Sequence, residues 1–153
     1  MTNAYLQGRA LERLLGIHVR KTAATVPQGT TQNIFTIAGG RVMLLGLIGE
    51  VTTQIGAGTT PDLKVTSAPT VGTAIDLATD VVIASDEVGT LYYVEGDGTA
   101  LRPISSGYAQ MCTTGLVIPI GVIRIATTES TAGATKWDAW YVPLDDGASM
   151  VSA

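Results

Sequence analysis

Residues 41–55 read RVMLLGLIGEVTTQI, and this stretch decides the fold class. It is too long for one ordinary strand of about 5–6 residues, and Gly46 and Gly49 interrupt it. Glycine inside a strand favours a bend, a bulge or a close approach of two backbones. Residues 42–45 are apolar on both faces of a strand, whereas residues 50–55 alternate polar and apolar side chains. We therefore predict one long strand that bends at the glycines and crosses from one sheet to another.

The composition also indicates an all-β chain. Of its 153 residues, only 14% are charged and 18 are glycine, whereas charged residues make up about 25% of an ordinary globular domain. Threonine is β-branched and favours extended backbone, and glycine marks turns. Turn signals about 8–12 residues apart separate roughly eight to ten short apolar runs, and no βαβ alternation is present. The sequence therefore predicts an all-β fold, either an antiparallel β-barrel or a jelly-roll-like sandwich.

The beginning of the chain has a different pattern. Leu11, Leu14 and Leu15 recur at three- and four-residue spacing, which predicts a short amphipathic helix over residues 4–15. Gly16 follows where a helix commonly ends in the left-handed conformation. The apolar stripe of this helix needs a partner, either the end of the body, which it would cap, or another subunit.

Charge is distributed unevenly along the chain. Residues 1–42 carry five basic side chains and one acidic one, a net charge of +4, whereas residues 43–153 carry four basic and twelve acidic ones, a net charge of −8. We divide the chain into an N-terminal basic arm or helix, residues 1–25, and a single β-barrel body, residues 26–153. We expect the arm to reach for an acidic partner, such as a neighbouring copy of the body. Nucleic acid is not favoured, because the cations are not interleaved with aromatic residues.

Residues that could carry catalysis or bind a metal are few. His18 is the single histidine and lies among the cations of the arm, a poor place for a general base. One histidine and one cysteine exclude the common zinc sites, and we interpret Cys112 as a small buried hydrophobe. The acidic pairs Asp145–Asp146 and Asp86–Glu87 are predicted to be solvated turn residues, since the ligand pattern of a calcium loop is absent. We predict neither an enzyme nor a cofactor.

Four aromatic residues are candidate anchors of the core or of an interface: Tyr92, Tyr93, Trp137 and Trp140. Successive strand residues face opposite sides, so one of Tyr92 and Tyr93 is expected in the core and the other at the surface or in an interface. Trp137 and Trp140 are also expected on opposite faces, with Trp140 on the face of Asp138.

The sequence lacks the features of a membrane or secreted protein. No run reaches the ~18 apolar residues of a membrane span, and the first residues do not have the pattern of a secretory signal. A single cysteine also excludes an intrachain disulfide. We therefore expect the protein to be made and folded in a reducing cytoplasm, with no membrane partner.

Three stretches resemble the capsid decoration (cement) proteins of tailed bacteriophages. They are GGRVMLLGLIGEVTTQIGAG (39–58), LVIPIGVIRI (116–125) with its Pro-x-Gly turn, and KWDAWYVPLDDGASMVSA (136–153). The resemblance implies an antiparallel β-barrel or jelly-roll body that associates as homotrimers on the outside of a phage head. It implies the major capsid protein as partner and the exterior of the virion as location, with binding after the shell has expanded.

The arm is then expected to contact the shell or a neighbouring subunit. Its candidate contact residues are Arg9, Leu11, Arg13, Leu14, Leu15, Arg20 and Lys21. Two other functions stay open. A phage tail or head–tail connector component is expected to form rings or tubes, and a carbohydrate-binding module is expected to bind glycans through an exposed tryptophan.

Overall fold

Two antiparallel sheets packed against each other form the fold in the computed structural model, which describes residues 16–57, 61–96, 101–104, 109, 111–112 and 114–153. The predicted all-β antiparallel sandwich is confirmed, and these residues contain strands but no helix. The predicted helix over residues 4–15 lies outside them. The strands are β1 (Ile17–Thr25), β2 (Thr31–Ala38), β3 (Val42–Thr53), β4 (Asp62–Pro69), β5 (Ile75–Val82), β6 (Leu91–Tyr93), β7 (Arg102–Ile104), β8 (Leu116–Ile118), β9 (Gly121–Thr127), β10 (Ala134–Pro143) and β11 (Ser149–Ser152).

Neighbouring strands in the two sheets come from distant parts of the chain. The first sheet has the order β1-β10-β3-β6-β7, and β8 also pairs with the start of β3. The second sheet has the order β11-β2-β9-β4-β5. Within the first sheet, β10 lies between β1 and β3 and pairs with both along most of its length. The strand near the end of the sequence is therefore central to the sheet.

The core lies between the sheets and follows the two-residue period of the strands. On β10, Trp137, Ala139 and Tyr141 are buried, and these residues alternate with Asp138 and Trp140 on the outer face. The opposite sheet contributes apolar side chains at the same spacing, from Phe35 and Ile37 on β2, Leu63 and Val65 on β4, and Ile123 and Ile125 on β9.

Strand β3 is a single 12-residue strand that stays within one sheet. Its register with β10 shifts by one residue at a β-bulge. Gly46 lies opposite Trp140 and Leu44 lies opposite Tyr141, so Leu45 is the extra residue. Pairing with β10 continues on both sides of this bulge. The prediction of one long strand is therefore correct, and the prediction that it crosses between sheets is wrong.

Residues 17–25 of the predicted arm are a strand of the body. Ile17 lies opposite Tyr141, and Thr25 lies opposite Ala134, so β1 runs along β10 as the edge of the first sheet. The division of the chain at residue 25 therefore does not correspond to a boundary in the fold. His18, which was predicted to lie among the cations of the arm, is also in this strand.

Candidate interaction surfaces

Asp138, on the outer face of β10, is shared by two residues of the edge strand β1. Nε2 of His18 lies 2.5 Å from Oδ1 of Asp138. Nε of Arg20 donates to the same oxygen at 2.7 Å, and its Nη2 donates to Oδ2 at 3.2 Å. The register brings the three together, since Arg20 lies directly opposite Asp138 and His18 lies opposite Trp140, two residues further along. Cross-strand pairs of this kind hold an edge strand to its neighbour.

The electrostatics of this cluster favour an ionised carboxylate. Burial by itself would raise the pKa of Asp138, but the hydrogen bonds and charges of Arg20 and His18 outweigh it and lower this pKa below its ordinary value. Asp138 in turn raises the pKa of Arg20. The ring of His18 also lies beside that of Trp140, with centroids 4.9 Å apart and planes at 31°. The cluster therefore fastens β1 to the sheet.

The two described cations of the predicted contact set have partners within the chain. Arg20 pairs with Asp138, and Nζ of Lys21 donates to the carbonyl oxygen of Ala153. Both bonds tie β1 to the rest of the body. The other predicted contact residues lie outside the described residues: Arg9, Leu11, Arg13, Leu14 and Leu15.

Three of the four candidate aromatic anchors are buried. Tyr92 and Trp137 are in the core, with ring centroids 6.4 Å apart. Tyr93 is only 5% exposed, so the expectation that one of the two tyrosines faces the surface is wrong. Trp140 is half-buried and shares the outer face of the first sheet with Asp138, as predicted.

Two acidic residues predicted to be solvated are engaged in hydrogen bonds. Asp86 accepts one from the hydroxyl of Tyr92 at 2.6 Å. Burial raises the pKa of Asp86, and the hydrogen bond from Tyr92 acts in the opposite direction. Asp145 accepts hydrogen bonds from the guanidinium and from the backbone N–H of Arg41, and these lower the pKa of Asp145 to about 2. Both carboxylates hold turns in place.

Cys112 has the properties of a structural thiol. It is half-buried, and its Sγ donates to the carbonyl oxygen of Val94 at 3.3 Å. Burial raises the pKa of the thiol to about 11. It is therefore protonated at neutral pH and is a poor nucleophile.

Exposed apolar side chains gather at the end of the sandwich where β4 turns into β5 and β8 turns into β9. Val71 and Ile75, on the first turn and the start of β5, are 90% and 68% exposed. Val117 and Ile120, on β8 and the second turn, are 54% and 45% exposed. The backbone N–H of Thr70 donates to the carbonyl of Ile120 at 2.8 Å, which ties the two turns together. We call this surface, residues 67–77 and 116–121, the apolar end.

A groove of about 170 Å³ opens between the two sheets at the apolar end. The groove lies between β5 and β8. Strand β5 is at the edge of the second sheet, and β8 belongs to the first sheet, where it pairs with β3. None of its lining residues is charged, and they include Pro69, Ile75, Leu77, Val117, Ile118 and Pro119.

This surface can be found in the sequence from the absence of charged residues, although the predictions based on cations and aromatic residues missed it. Residues 65–75 and 103–123 contain no Asp, Glu, Lys or Arg. The fold brings parts of these two segments together, because Pro69 pairs with Gly121. Depletion of charge is the compositional mark of the core of a protein–protein interface. Part of these segments is buried in the core of the chain itself, and their exposed part is a candidate contact surface.

Comparisons with protein-family models, with curated proteins and with solved structures find no match to this chain. Within the described part of the chain, no group of three or more His, Cys, Asp or Glu side chains is placed to hold a metal ion. The same residues form no helix long and apolar enough to cross a membrane.

Proposed function

We propose that the chain is a structural protein of a tailed-phage virion, a capsid decoration (cement) protein that binds the outside of the head and stabilises the expanded shell. The apolar end is the observation that carries this proposal. The apolar end has one charged residue, Asp76, which pairs with Lys64 at 3.8 Å. An exposed and largely apolar surface on a hydrogen-bonded sandwich suits a protein whose function is to be bound. The resemblance of three stretches of the sequence to decoration proteins supports the choice of this class.

The use of the polar residues supports a structural function. Asp138, Asp86 and Asp145 each bind a neighbouring element of the body, and Cys112 holds its proton. These groups increase the rigidity of the sandwich. A rigid body loses little conformational entropy when it binds, which favours tight association.

The entry point of the arm supports a single face that meets the shell. A Cβ placed on Gly16 would lie 3.0 Å from Cδ1 of Leu45, so the chain enters the body against the first sheet. The row of paired residues Ile17, Tyr141, Leu44 and Leu116 runs from this entry point to β8. The arm therefore joins the body at the end of the sheet that also bears β8, and we propose that the arm and this end face the shell together.

Stabilisation of the shell follows from mass action. A protein that binds only the assembled, expanded shell shifts the equilibrium toward it, by about 2.7 kcal/mol per site when its free concentration is 100 times its Kd. Many copies on one shell multiply this effect. Arg9 and Arg13 are the residues of the arm that we propose to contact an acidic shell surface or a neighbouring copy.

The test is co-sedimentation of the full chain with expanded, undecorated shells, with bound copies counted per capsid subunit. We expect saturable binding at a fixed ratio and a higher melting temperature of the shell. Absence of saturable binding would refute the proposal, and rings or tubes seen by microscopy would assign the chain to the tail or the head–tail connector. Binding to a glycan array in place of shells would assign it to the carbohydrate-binding modules.

The function of the arm is tested separately. Deletion of residues 1–16 is expected to leave the body folded and to abolish binding to shells. A double variant, Arg9→Gln with Arg13→Gln, is expected to weaken binding. The control is Lys136→Gln, which removes a cation paired with Glu50, toward the other end of β3 from β8. If the same number of copies still binds each shell after the deletion, the arm does not contribute to shell binding.

A further inference from the structure

We propose that residues 4–15 pack on the outer face of the first sheet of their own chain, through the leucine stripe Leu11, Leu14 and Leu15. Residues 4–15 lie outside the described residues, and the inference is drawn from the face of the body at which they join it. It deepens the proposed function and rests on it where the shell is concerned, because it gives the arm a fixed place on the body. The packing itself can be tested without shells.

The outer face of the first sheet bears apolar side chains on the two central strands β3 and β10. Met43 lies opposite Val142, and Leu45 is the extra residue of the bulge beside Trp140. All four are half-buried, and along their strands they alternate with side chains of the core. We call these four residues the outer apolar patch.

The charged side chains of this face lie beside the outer apolar patch and bind one another. Arg20 pairs with Asp138, and Lys136 pairs with Glu50 at 2.7 Å. His18 borders the patch, and its Nε2 faces the same Asp138. These pairs need no opposite charge from a segment that covers the patch, so the patch suits an apolar partner.

The place where the chain enters the body identifies that partner. A Cβ on Gly16 would lie 3.0 Å from Cδ1 of Leu45 and 3.5 Å from Cβ of Trp140, so Gly16 lies against the outer apolar patch. Its φ of +79° is the left-handed conformation in which helices commonly end. The residues before Gly16 are tethered there, and their effective concentration at the patch is higher than that of a segment from another molecule.

The length of the predicted helix matches the width of the sheet at this point. Twelve residues of α-helix, 4–15, span about 18 Å. From β1 the sheet continues through β10 and β3 to β8. Strands about 4.8 Å apart place β8 about 14 Å from β1. A helix that ends at Gly16, beside β1, is therefore long enough to cross the sheet to β8.

The pattern of the helix separates its leucines from its cations. At about 100° per residue, Leu11, Leu14 and Leu15 share one face. Arg9 and Arg13 are four residues apart and fall on the opposite face. With the leucines on the outer apolar patch, both arginines point away from the body, where an acidic partner can reach them.

The first test is a disulfide within one chain, in the background Cys112→Ser, which removes the natural thiol. Leu11→Cys with Met43→Cys is expected to yield a cross-linked monomer on mild oxidation. The matched control is Arg13→Cys with Met43→Cys. Residue 13 is nearer to the body in sequence but lies on the opposite face of the helix, so its disulfide should form at least about tenfold more slowly.

The second test is quenching by acrylamide in chains that carry Trp137→Phe, which leaves Trp140 as the single tryptophan. Trp140 borders the proposed contact, so Leu11→Gln with Leu14→Gln should increase its quenching. The control is Arg9→Gln with Arg13→Gln, which changes the other face of the helix and should leave the quenching of Trp140 unchanged. Melting curves check that all variants are folded.

Three outcomes would overturn the inference. The first is equal rates of cross-linking from residues 11 and 13, as for an arm with no fixed place. The second is a disulfide from Leu11→Cys that forms only between chains, which would place the arm on another copy. The third is quenching of Trp140 that stays the same in the double leucine variant.

The inference and the proposed function can fail separately. A chain that passes both tests and does not bind shells would refute the proposed function alone. Shell binding by a chain that fails both tests would refute the packing of the arm on the first sheet alone.

Discussion

Trp137 lies directly against the backbone of Gly49, the residue opposite it on β3. A Cβ on Gly49 would lie 2.8 Å from Cζ2 and Cη2 of the indole ring, closer than side chains approach each other in proteins. The same ring stacks with Tyr92 on the other side of β3. Glycine weakens the interior of a strand unless another group must come close, and at this position the other group is the largest side chain of the core.

We predict that Gly49→Ala destabilises the protein by about 1–3 kcal/mol, the usual cost of overpacking a core. The matched control is Gly46→Ala in the same strand. Its Cβ would meet Cε of Met111 at 2.5 Å, but Met111 is 42% exposed and its flexible end can move away. Urea denaturation of both variants measures the difference. Equal losses of stability would show that the Trp137 ring can move as easily as Met111.

A second prediction concerns the hydrogen bond from Tyr92 to Asp86. Tyr92→Phe keeps the ring and removes the donor, so we expect a loss of about 1–3 kcal/mol at neutral pH, where Asp86 is left with a partly buried charge. Because burial raises the pKa of Asp86, its contribution to stability is full below the ordinary value of about 3.9 and is lost as the pH rises through its pKa in the folded protein.

The deficit of Tyr92→Phe should therefore depend on pH. Removal of the hydrogen bond raises the pKa of Asp86 further, because that bond lowers it in the natural chain. The deficit is expected to shrink as the pH falls and Asp86 takes up a proton. Denaturation curves from neutral pH down to about pH 4 measure this trend. A deficit that stays constant over this range would contradict the assignment of the charge to Asp86.

A third prediction concerns the attachment of the edge strand. Asp138→Asn replaces the shared carboxylate with a neutral group, and we expect a loss of about 1–2 kcal/mol at neutral pH, a value moderated by the exposure of Arg20 and His18. Because the pKa of Asp138 is lowered, its contribution is present above about pH 4 and is lost as the pH falls through its pKa in the folded protein. The difference between the variant and the natural chain should therefore vanish in acid.

Asp146→Asn is the control for this measurement, since it removes a carboxylate from an exposed turn. It is expected to change the free energy of unfolding very little. Hydrogen exchange adds a local measurement. Loss of the ion pairs from Asp138 to His18 and Arg20 should speed amide exchange in β1 before it affects exchange in the core. Protection of β1 that is unchanged in Asp138→Asn would show that backbone pairing with β10 is sufficient to hold the edge.

A fourth prediction uses the two tryptophans as reporters. Trp140→Phe leaves Trp137, which is 1% exposed, so its fluorescence should lie at short wavelength and resist quenching by acrylamide. Trp137→Phe leaves the half-buried Trp140, whose emission should be more accessible to the quencher. Equal quenching of the two variants would mean that the outer face of the first sheet is covered.

The class of fold could be predicted from the sequence because the alternation of apolar and polar residues along a strand shows which of its faces is buried. The period of two in KWDAWYV places Trp140 and Asp138 on one face and Trp137 on the other, and the structure agrees. Turn signals likewise separate the strands. These features depend on neighbouring residues only, so they can be read from a single chain.

The identity of the partner across a strand is not a local property, and the predictions that depended on it failed. A glycine needed for a bend and a glycine needed for a close contact look the same in sequence, so the strand β3 was expected to leave its sheet. The partner of Asp86, Tyr92, is only six residues away, but the sequence does not show that the turn between them brings the two side chains together. Arg20 was assigned to an external surface because its partner, Asp138, is 118 residues away.

The position of β10 between β1 and β3 determines the order in which the chain can fold. A nascent chain that ends before residue 134 contains β1 and β3 but lacks the strand that joins them. Contacts this distant in sequence form slowly, typically in milliseconds to seconds for all-β domains. Until then the β10 edge of the apolar strand β3 is unpaired, which makes the growing chain a target for aggregation and for chaperones that hold extended segments.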